Sequence, residues 1–515
     1  MEELDCVLVH VPKYQNYYPP LNNYSSLNWM SQSIFGLSDS LEKAGLESKI
    51  VHPGIESILD KRFSLGNYLQ QKNVKSVGFS LHFHQQISDT LAVVRQIKKE
   101  LPEIFVFLGG VTASFFSREL MQYPEVDAVI RGEGEVPLPG LVQKIKQGKE
   151  LFDDVPNLTW RRGNEIVENP MSYTAAQDDL DKLDYAHLPY LENYEKYLNF
   201  PKAIFHTKLP STWNYKLSQK LYAERKNIFG GLTVGRGCHV NCFYCGGGSR
   251  AQALINHRKK VVFRSPDKVV ASMQHLQSFG YSGTYISFDP HPQSQHYYVD
   301  LFQRIRQEKL DFDVIFSAWH LPSKDFLLEF QKTFGRGSSI SISPETGSER
   351  LRKTARGNFF RNIELMEMLD QCEKLNIRTT VFFSLGIPGE KKEDFHETLA
   401  MKNMIRSRYK NIRTRAFLVE MEPGAPWHLH PEKFGLKKIR RSLQDFINDQ
   451  SMPGYSSMTS IGFMMDELLD EKLTDRQDLE KRLLKLKCDN FCPNRKICAV
   501  MRTGWKAAGF LGMTN

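Results

Sequence analysis

Six of the eight cysteines sit in two short clusters. Cys238, Cys242 and Cys245 lie in GRGCHVNCFYCGGGS, spaced C-x3-C-x2-C. Three thiols within eight residues, in a chain expected to stay in a reducing compartment, point to a bound metal rather than a disulfide. A structural zinc site normally closes with four ligands. A cubane iron–sulfur cluster also takes four, one per iron. Three cysteines therefore leave one iron open to a small molecule. Glycines flank the loop, in GGLTVGRG before it and GGG after it. They let backbone amides approach the cluster and its ligand closely. The second group, Cys488, Cys492 and Cys498 in KCDNFCPNRKICAV, follows the charged helical stretch DLEKRLLKLK. It fits a second metal site, either zinc or an auxiliary iron–sulfur cluster, or else three inert thiols. Cys372, in the helical pattern IELMEMLDQCEKL, reads as a buried structural thiol.

The first cysteine loop needs a scaffold, and the sequence around it supplies one. Between Gly231 and Glu422 the strand-like runs YISF, DVIFSAW, SSISIS, TTVFFSLGI and RAFLVEM alternate with helical stretches. This alternation implies parallel βαβ units. In barrels of such units the active site lies at the C-terminal strand ends, and the cysteine loop follows the first strand of the set. Residues 1–148 repeat the pattern, with strands in DCVLVHVP, SKIVHP, VKSVGFSLHF and IFVFLGG separated by helices, a doubly wound layout. Ligands of such sheets sit beyond the strand C-termini, here the loops after Val11, Ser80, Gly109 and Ile130. No GxGxxG opens a helix, and GEGEVP at Gly132 to Pro137 lacks the third glycine, so a dinucleotide reading is weak. Residues 149–225 read as a connector whose hairpin VPNLTWRRGNEIVENP turns at Gly163-Asn164.

Composition narrows the class. With 515 residues, a net charge of +9, 41% hydrophobic and 25% charged residues, the chain is an ordinary globular protein. Collagen, low-complexity disorder and a disulfide-stapled mini-protein are excluded. No apolar run reaches the ~20 residues of a membrane span. MEELDCVLVHVPK has no basic leader region, so the expected location is the cytoplasm. The basic residues of 402–415 and 437–441 read as solvated helix faces, and no motif supports a nucleic-acid partner.

The C-x3-C-x2-C loop with Tyr244 before its last cysteine resembles the signature of the radical S-adenosylmethionine (SAM) superfamily. Four later segments resemble that family's strands and loops in order. They are YISFDPHP, SISPETGSERLRK, TTVFFSLGIPGEKKEDFHETL and AFLVEMEPGAPWHLHPEKFG. LGGVTA and VIRGEGE resemble the cobalamin-binding domain that precedes many of its barrels. The resemblance implies an α/β architecture. A doubly wound, Rossmann-like cobalamin-binding domain (1–148) is followed by the connector (149–225) and a partial (β/α)6 TIM-like barrel (226–435). A small, mostly α-helical C-terminal domain (436–515) carries the second cysteine group.

It also implies the cofactors: a 4Fe-4S cluster on Cys238, Cys242 and Cys245, SAM chelated by the open iron, and cobalamin. The signature of a histidine-ligated cobalamin, D-x-H-x-x-G, is absent, so no histidine is expected beneath the corrin. His82 and His84 are the nearby imidazoles, read as exposed or hydrogen-bonded at a strand end. By the same resemblance Tyr244 packs near the adenine and Gly246 admits the cluster and its ligand. Asp289 binds the methionyl ammonium, or simply starts a turn before Pro290. Ser343 and Glu345 contact methionyl or ribose groups, Glu345 alternatively pairing with Arg350 or Arg352, and Gly386 admits the adenine. Ser80, Gly109, Gly110, Val111, Gly132, Glu133 and Gly134 are the corrin-side candidates. The implied function is C-methylation of an unreactive carbon. A 5′-deoxyadenosyl radical abstracts hydrogen, methylcobalamin donates the methyl group, and an external one-electron reductant drives the cycle. The alternative is a non-methylating radical reaction such as ring formation, with or without cobalamin. A small molecule or a peptide is the expected substrate.

Overall fold

The computed structural model describes residues 3–12, 23–25, 30–197, 203–205, 228–291, 294–335, 337–356, 359–419, 422–434 and 440–451. Cys488, Cys492, Cys498 and most of the expected C-terminal domain lie outside them.

The N-terminal sheet is built from β1 (Cys6–Val9), β2 (Ser48–Val51), β3 (Ser76–Ser80), β4 (Phe105–Gly109) and β5 (Ala128–Ile130), followed by β6 (Leu158–Arg162) and β7 (Glu165–Glu168). Its spatial order is β2-β1-β3-β4-β5-β6-β7. The first five strands pair in parallel. CVLV of β1 and AVI of β5 are buried at every position, as expected of strands covered by helices on both faces. The order 2-1-3-4-5 reverses between β1 and β3, and in open α/β sheets ligands bind at that switch point.

The hairpin assigned by sequence to the connector belongs to this sheet. β6 pairs antiparallel with β5, Trp160 opposite Ala128, and β7 closes the edge. The fully buried Trp160 ring anchors it, its indole N–H donating to Asn169 Oδ1 at 3.1 Å. The sheet therefore continues past residue 148, because an exposed β5 edge is covered by the next available strands.

The second sheet contains β8 (Ile228–Phe229), β9 (Gly283–Ile286), β10 (Asp313–Ala318), β11 (Ser339–Glu345), β12 (Arg378–Leu385) and β13 (Ile412–Leu418). All five pairings are parallel, and the strands stand in chain order, the arrangement of a partial barrel. Aromatic side chains fix the outer helices. Phe302 and Phe326 stack edge to face at 5.3 Å, and Phe326 meets Phe316 of β10 at 5.1 Å.

Two seams join the sheets. In one, GEGE of the N-terminal sheet meets arginines of the barrel. In the other, the helix Leu443–Ser451 returns to the N-terminal sheet. Leu443 donates its N–H to Glu119 at 2.6 Å, and Phe446 packs on Phe116 and on His428 of the last barrel loop.

Candidate active site

The cysteine loop begins where Gly235–Arg236 pairs antiparallel with Val262–Phe263. Two of its sulfurs accept backbone N–H groups at 3.3 Å, Cys238 from Val240 and Cys245 from Gly247. Gly246 donates its N–H to Glu422 at 2.6 Å, and a Cβ there would lie 2.7 Å from the Pro423 carbonyl. Only glycine lets the loop lie this close to the barrel's last loop. Burial pushes the Cys238 thiol up to about 11 and raises those of Cys242 and Cys245. Buried thiolates of this kind are stabilised by a coordinated cation, which fits a metal site.

Arg356, at the end of the helix Glu349–Arg356, is fully buried beside Cys242, Tyr244 and Glu345. One of its Nη atoms donates to the Ser343 carbonyl. Its Nε and other Nη have no hydrogen-bond acceptor among the described residues. A buried cation with donors to spare suits a pocket that receives an anionic cluster or a carboxylate. Glu345 ends β11 at φ +68°, after a register shift between Ile342 and Glu345. That left-handed conformation in a bulky residue is strained and re-aims the side chain. Ser384 Oγ donates to its carboxylate. Burial raises the Glu345 pKa, and Arg356 opposes that rise. Tyr244 packs against the barrel core and faces the same carboxylate. Gly386, at φ +78°, donates its N–H to Glu390 at 2.6 Å just after β12. Tyr244, Glu345, Ser343, Cys238 and Cys242 are thus gathered around one arginine that sequence reasoning passed over. Its one visible signal was the i,i+4 spacing of Arg352 and Arg356, which sets both on one helix face.

Two expectations change. Both oxygens of Asp289 are engaged within the protein. Oδ1 accepts from the N–H groups of Trp319 at 2.7 Å and His320 at 2.8 Å, and Oδ2 faces His320 Nδ1. Asp289 therefore holds His320 and the end of β10 rather than presenting a free carboxylate to an ammonium group. Its neighbour His291 touches His320 edge to face at 4.5 Å and stacks on His239 at 4.4 Å. The second change concerns the partner expected for Glu345. Arg350 pairs with Asp394, and Arg352 donates to the carbonyls of Pro344, Thr346 and Phe360. Of the arginines near Glu345, Arg356 acts on it most strongly and Arg352 less so.

Between the two sheets lies a cavity of about 340 Å³. The N-terminal side contributes Ser80, Gly109, Gly110, Val111 and Gly132 to Gly134; the barrel side contributes Leu232 to Gly237. Gly237 adjoins Cys238, so the cavity reaches the cysteine loop. Gly110 has φ +108°, and a Cβ there would meet the Leu81 carbonyl at 2.7 Å. Glu133 lines the cavity, but its carboxylate is held by others: Arg258 donates from Nε at 2.5 Å and Nη2 at 2.7 Å, and Ala175 N–H at 2.8 Å. Glu135 pairs with Arg236. Burial alone would raise the Glu133 pKa; the two arginines outweigh it and hold the carboxyl below its usual range. The glutamates of GEGE are thus clamps between the domains.

Residues 232–401 match the Radical SAM superfamily, and residues 25–142 match the B12 binding domain. The chain thus carries a radical SAM domain with a B12-binding domain ahead of it. Hopanoid C-3 methylase of Methylococcus capsulatus is 30% identical over 155 residues, 30% of this chain and 27% of that protein. Anaerobic magnesium-protoporphyrin IX monomethyl ester cyclase of Cereibacter sphaeroides is 23% identical over 321 residues, 61% of this chain and 46% of that protein. The radical SAM methyltransferase TsrM from Kitasatospora setae, solved with tryptophan substrate and a SAM analog bound, shares the fold. Its TM-score is 0.63 at 14% identity, covering 98% of this chain and 100% of that one. The chain spans less than half the length of either curated relative. The interdomain cavity is lined on one side by the B12-binding domain and on the other by the radical SAM domain.

Proposed function

We propose that the chain is an enzyme that methylates an unreactive carbon of a small molecule or peptide, using a 4Fe-4S cluster, SAM and cobalamin. The observation that carries this reading is the cavity itself. It opens between the glycine-lined loops of the B12-binding domain and the cysteine loop of the barrel, so a corrin there faces the cluster. When bound, these groups supply one-electron cleavage of SAM, hydrogen abstraction by the resulting 5′-deoxyadenosyl radical, and a transferable methyl group.

The chain's own residues then have defined tasks. Cys238, Cys242 and Cys245 would hold three irons of the cluster. Arg356 offsets the negative charge gathered at Cys242 and Glu345. Glu345, oriented by Ser384, accepts a hydrogen bond or pairs with the SAM ammonium. Asp289 fixes His320 at the barrel mouth, and the glutamate–arginine clamps hold the two domains at a fixed distance. No helix of the described residues is long and apolar enough to cross a membrane. The free thiols of the loop suit a reducing compartment such as the cytoplasm, where an external one-electron donor is at hand.

Ring formation is the second reading, favoured by the cyclase relative, which covers more of this chain than the methylase does. The products decide. With reductant and SAM, methylation yields both 5′-deoxyadenosine and S-adenosylhomocysteine. Deoxyadenosine alone selects the non-methylating reading, and neither product refutes both.

A further inference from the structure

We propose that His82 supplies an axial nitrogen to cobalt, on the corrin face turned away from the cysteine loop. The inference rests on the cobalamin reading above and replaces the expectation that no histidine lies beneath the corrin.

The argument is one of placement. A flat macrocycle in the interdomain cavity presents one face to the barrel wall at Leu232 to Gly237 and the other to the loops after β3, β4 and β5. His82 stands in the loop after β3, at the reversal of strand order, and lines the cavity on that second side. Among the described residues of the lining it is the one imidazole, and there is no cysteine, methionine or lysine. The nearby carboxylates of Glu133 and Glu135 are already held by arginines.

His82 is also fixed in place. Its carbonyl accepts from Thr112 Oγ1 at 2.9 Å, and the Leu81 N–H donates to the Gly109 carbonyl at 2.8 Å. Gly110 lets the two loops touch, since a Cβ there would lie 3.0 Å from the His82 backbone nitrogen. The ring packs edge to face on Phe83 at 4.7 Å. A neutral imidazole keeps a lone pair for a metal. The other local imidazoles, His84 and His10, are not part of the described lining. His84 packs on Phe446 in the domain seam, and His10 lies against His52. No electron changes hands in this step: the imidazole lone pair forms one cobalt–nitrogen bond and displaces water or the nucleotide base.

The test is electron paramagnetic resonance of the full chain, purified with cobalamin and reduced to the cobalt(II) state. The expected spectrum shows each cobalt hyperfine line split into a triplet by one axial 14N. In protein grown on 15N-histidine the triplet becomes a doublet. In His82→Ala and His82→Gln the splitting is lost, while corrin content and iron content, read by absorbance, stay near wild type. A triplet that ignores the isotope assigns the nitrogen to the nucleotide base and overturns the proposal. Unsplit lines in the wild type overturn it as well. In both cases bound corrin leaves the broader reading intact. A chain that takes up no corrin while retaining its irons defeats the cobalamin reading and this inference together.

Discussion

The Glu133 carboxylate, from the B12-binding domain, takes both hydrogen bonds of its fork from Arg258 of the barrel, at 2.5 and 2.7 Å, and both side chains are 5% exposed. The two domains are therefore joined through a buried ion pair at the rim of the cavity that separates them. Removing Arg258 leaves Glu133 with only the more distant Arg236, at 3.6 Å, so the loss is at most the about 3–5 kcal/mol of a broken buried pair. Arg258→Ala is expected to lower the melting temperature and cut retained corrin severalfold, with iron content less affected. Thermal unfolding and corrin absorbance per chain check this. A variant that keeps full corrin would show that the clamp does not set the cavity.

Arg356 should tune the cluster. With an effective dielectric near 20 and a separation of ~6 Å, one charge is worth about 3 kcal/mol, or on the order of 100 mV for a one-electron couple. Arg356→Met is expected to make the cluster harder to reduce by that order, and Arg356→Lys to restore most of the shift. Potentiometric titration measures it. An unchanged potential in Arg356→Met would remove this residue from the site.

Asp289 offers a stability test. Asp289→Ala strands the N–H groups of Trp319 and His320, which now bond to one oxygen. At about 1–3 kcal/mol for each stranded group, the loss is about 2–6 kcal/mol. Chemical denaturation should show it, with Asp289→Asn losing distinctly less. Equal stabilities would mean that the carboxylate does not organise the end of β10.

Glu390 predicts a pH dependence. Burial, and then the neighbouring Asp394, push its pKa up to about 8, against a hydrogen bond from Gly386. In the unfolded chain the same carboxyl ionises near 4.5. Between these values the folded protein keeps a proton that the unfolded chain releases, so stability falls as pH rises from about 4.5 to about 8. Glu390→Gln removes that slope and should gain on wild type by a few kcal/mol at most at pH 8. Melting curves at pH 6 and pH 8 decide, and a gap that does not widen with pH refutes the assignment.

Much of this was legible from residue order because each feature had a local cause. The cysteine spacing, the glycine turns after β4 and β12, and the strand–helix alternation each depend on a few neighbouring residues. The parallel sheets followed from that alternation of strands and helices. What stayed hidden was pairing across long separations. Nothing near Glu133 announces Arg258, 125 residues on, and nothing near Asp289 announces His320. A buried arginine such as Arg356 looks like any surface arginine until the fold encloses it. The hairpin of β6 and β7 was visible as a hairpin, but its attachment to β5 was decided by an open sheet edge earlier in the chain.

The most direct test of the central claim is the spectrum of the reduced cluster with and without SAM. Anaerobically reconstituted protein should hold about four irons on the three-cysteine loop. Adding SAM should shift the paramagnetic resonance of the reduced cluster, since SAM would bind at the open iron. Cys242→Ala should abolish both the cluster signal and the shift. A fully loaded cluster whose spectrum ignores saturating SAM would contradict the account.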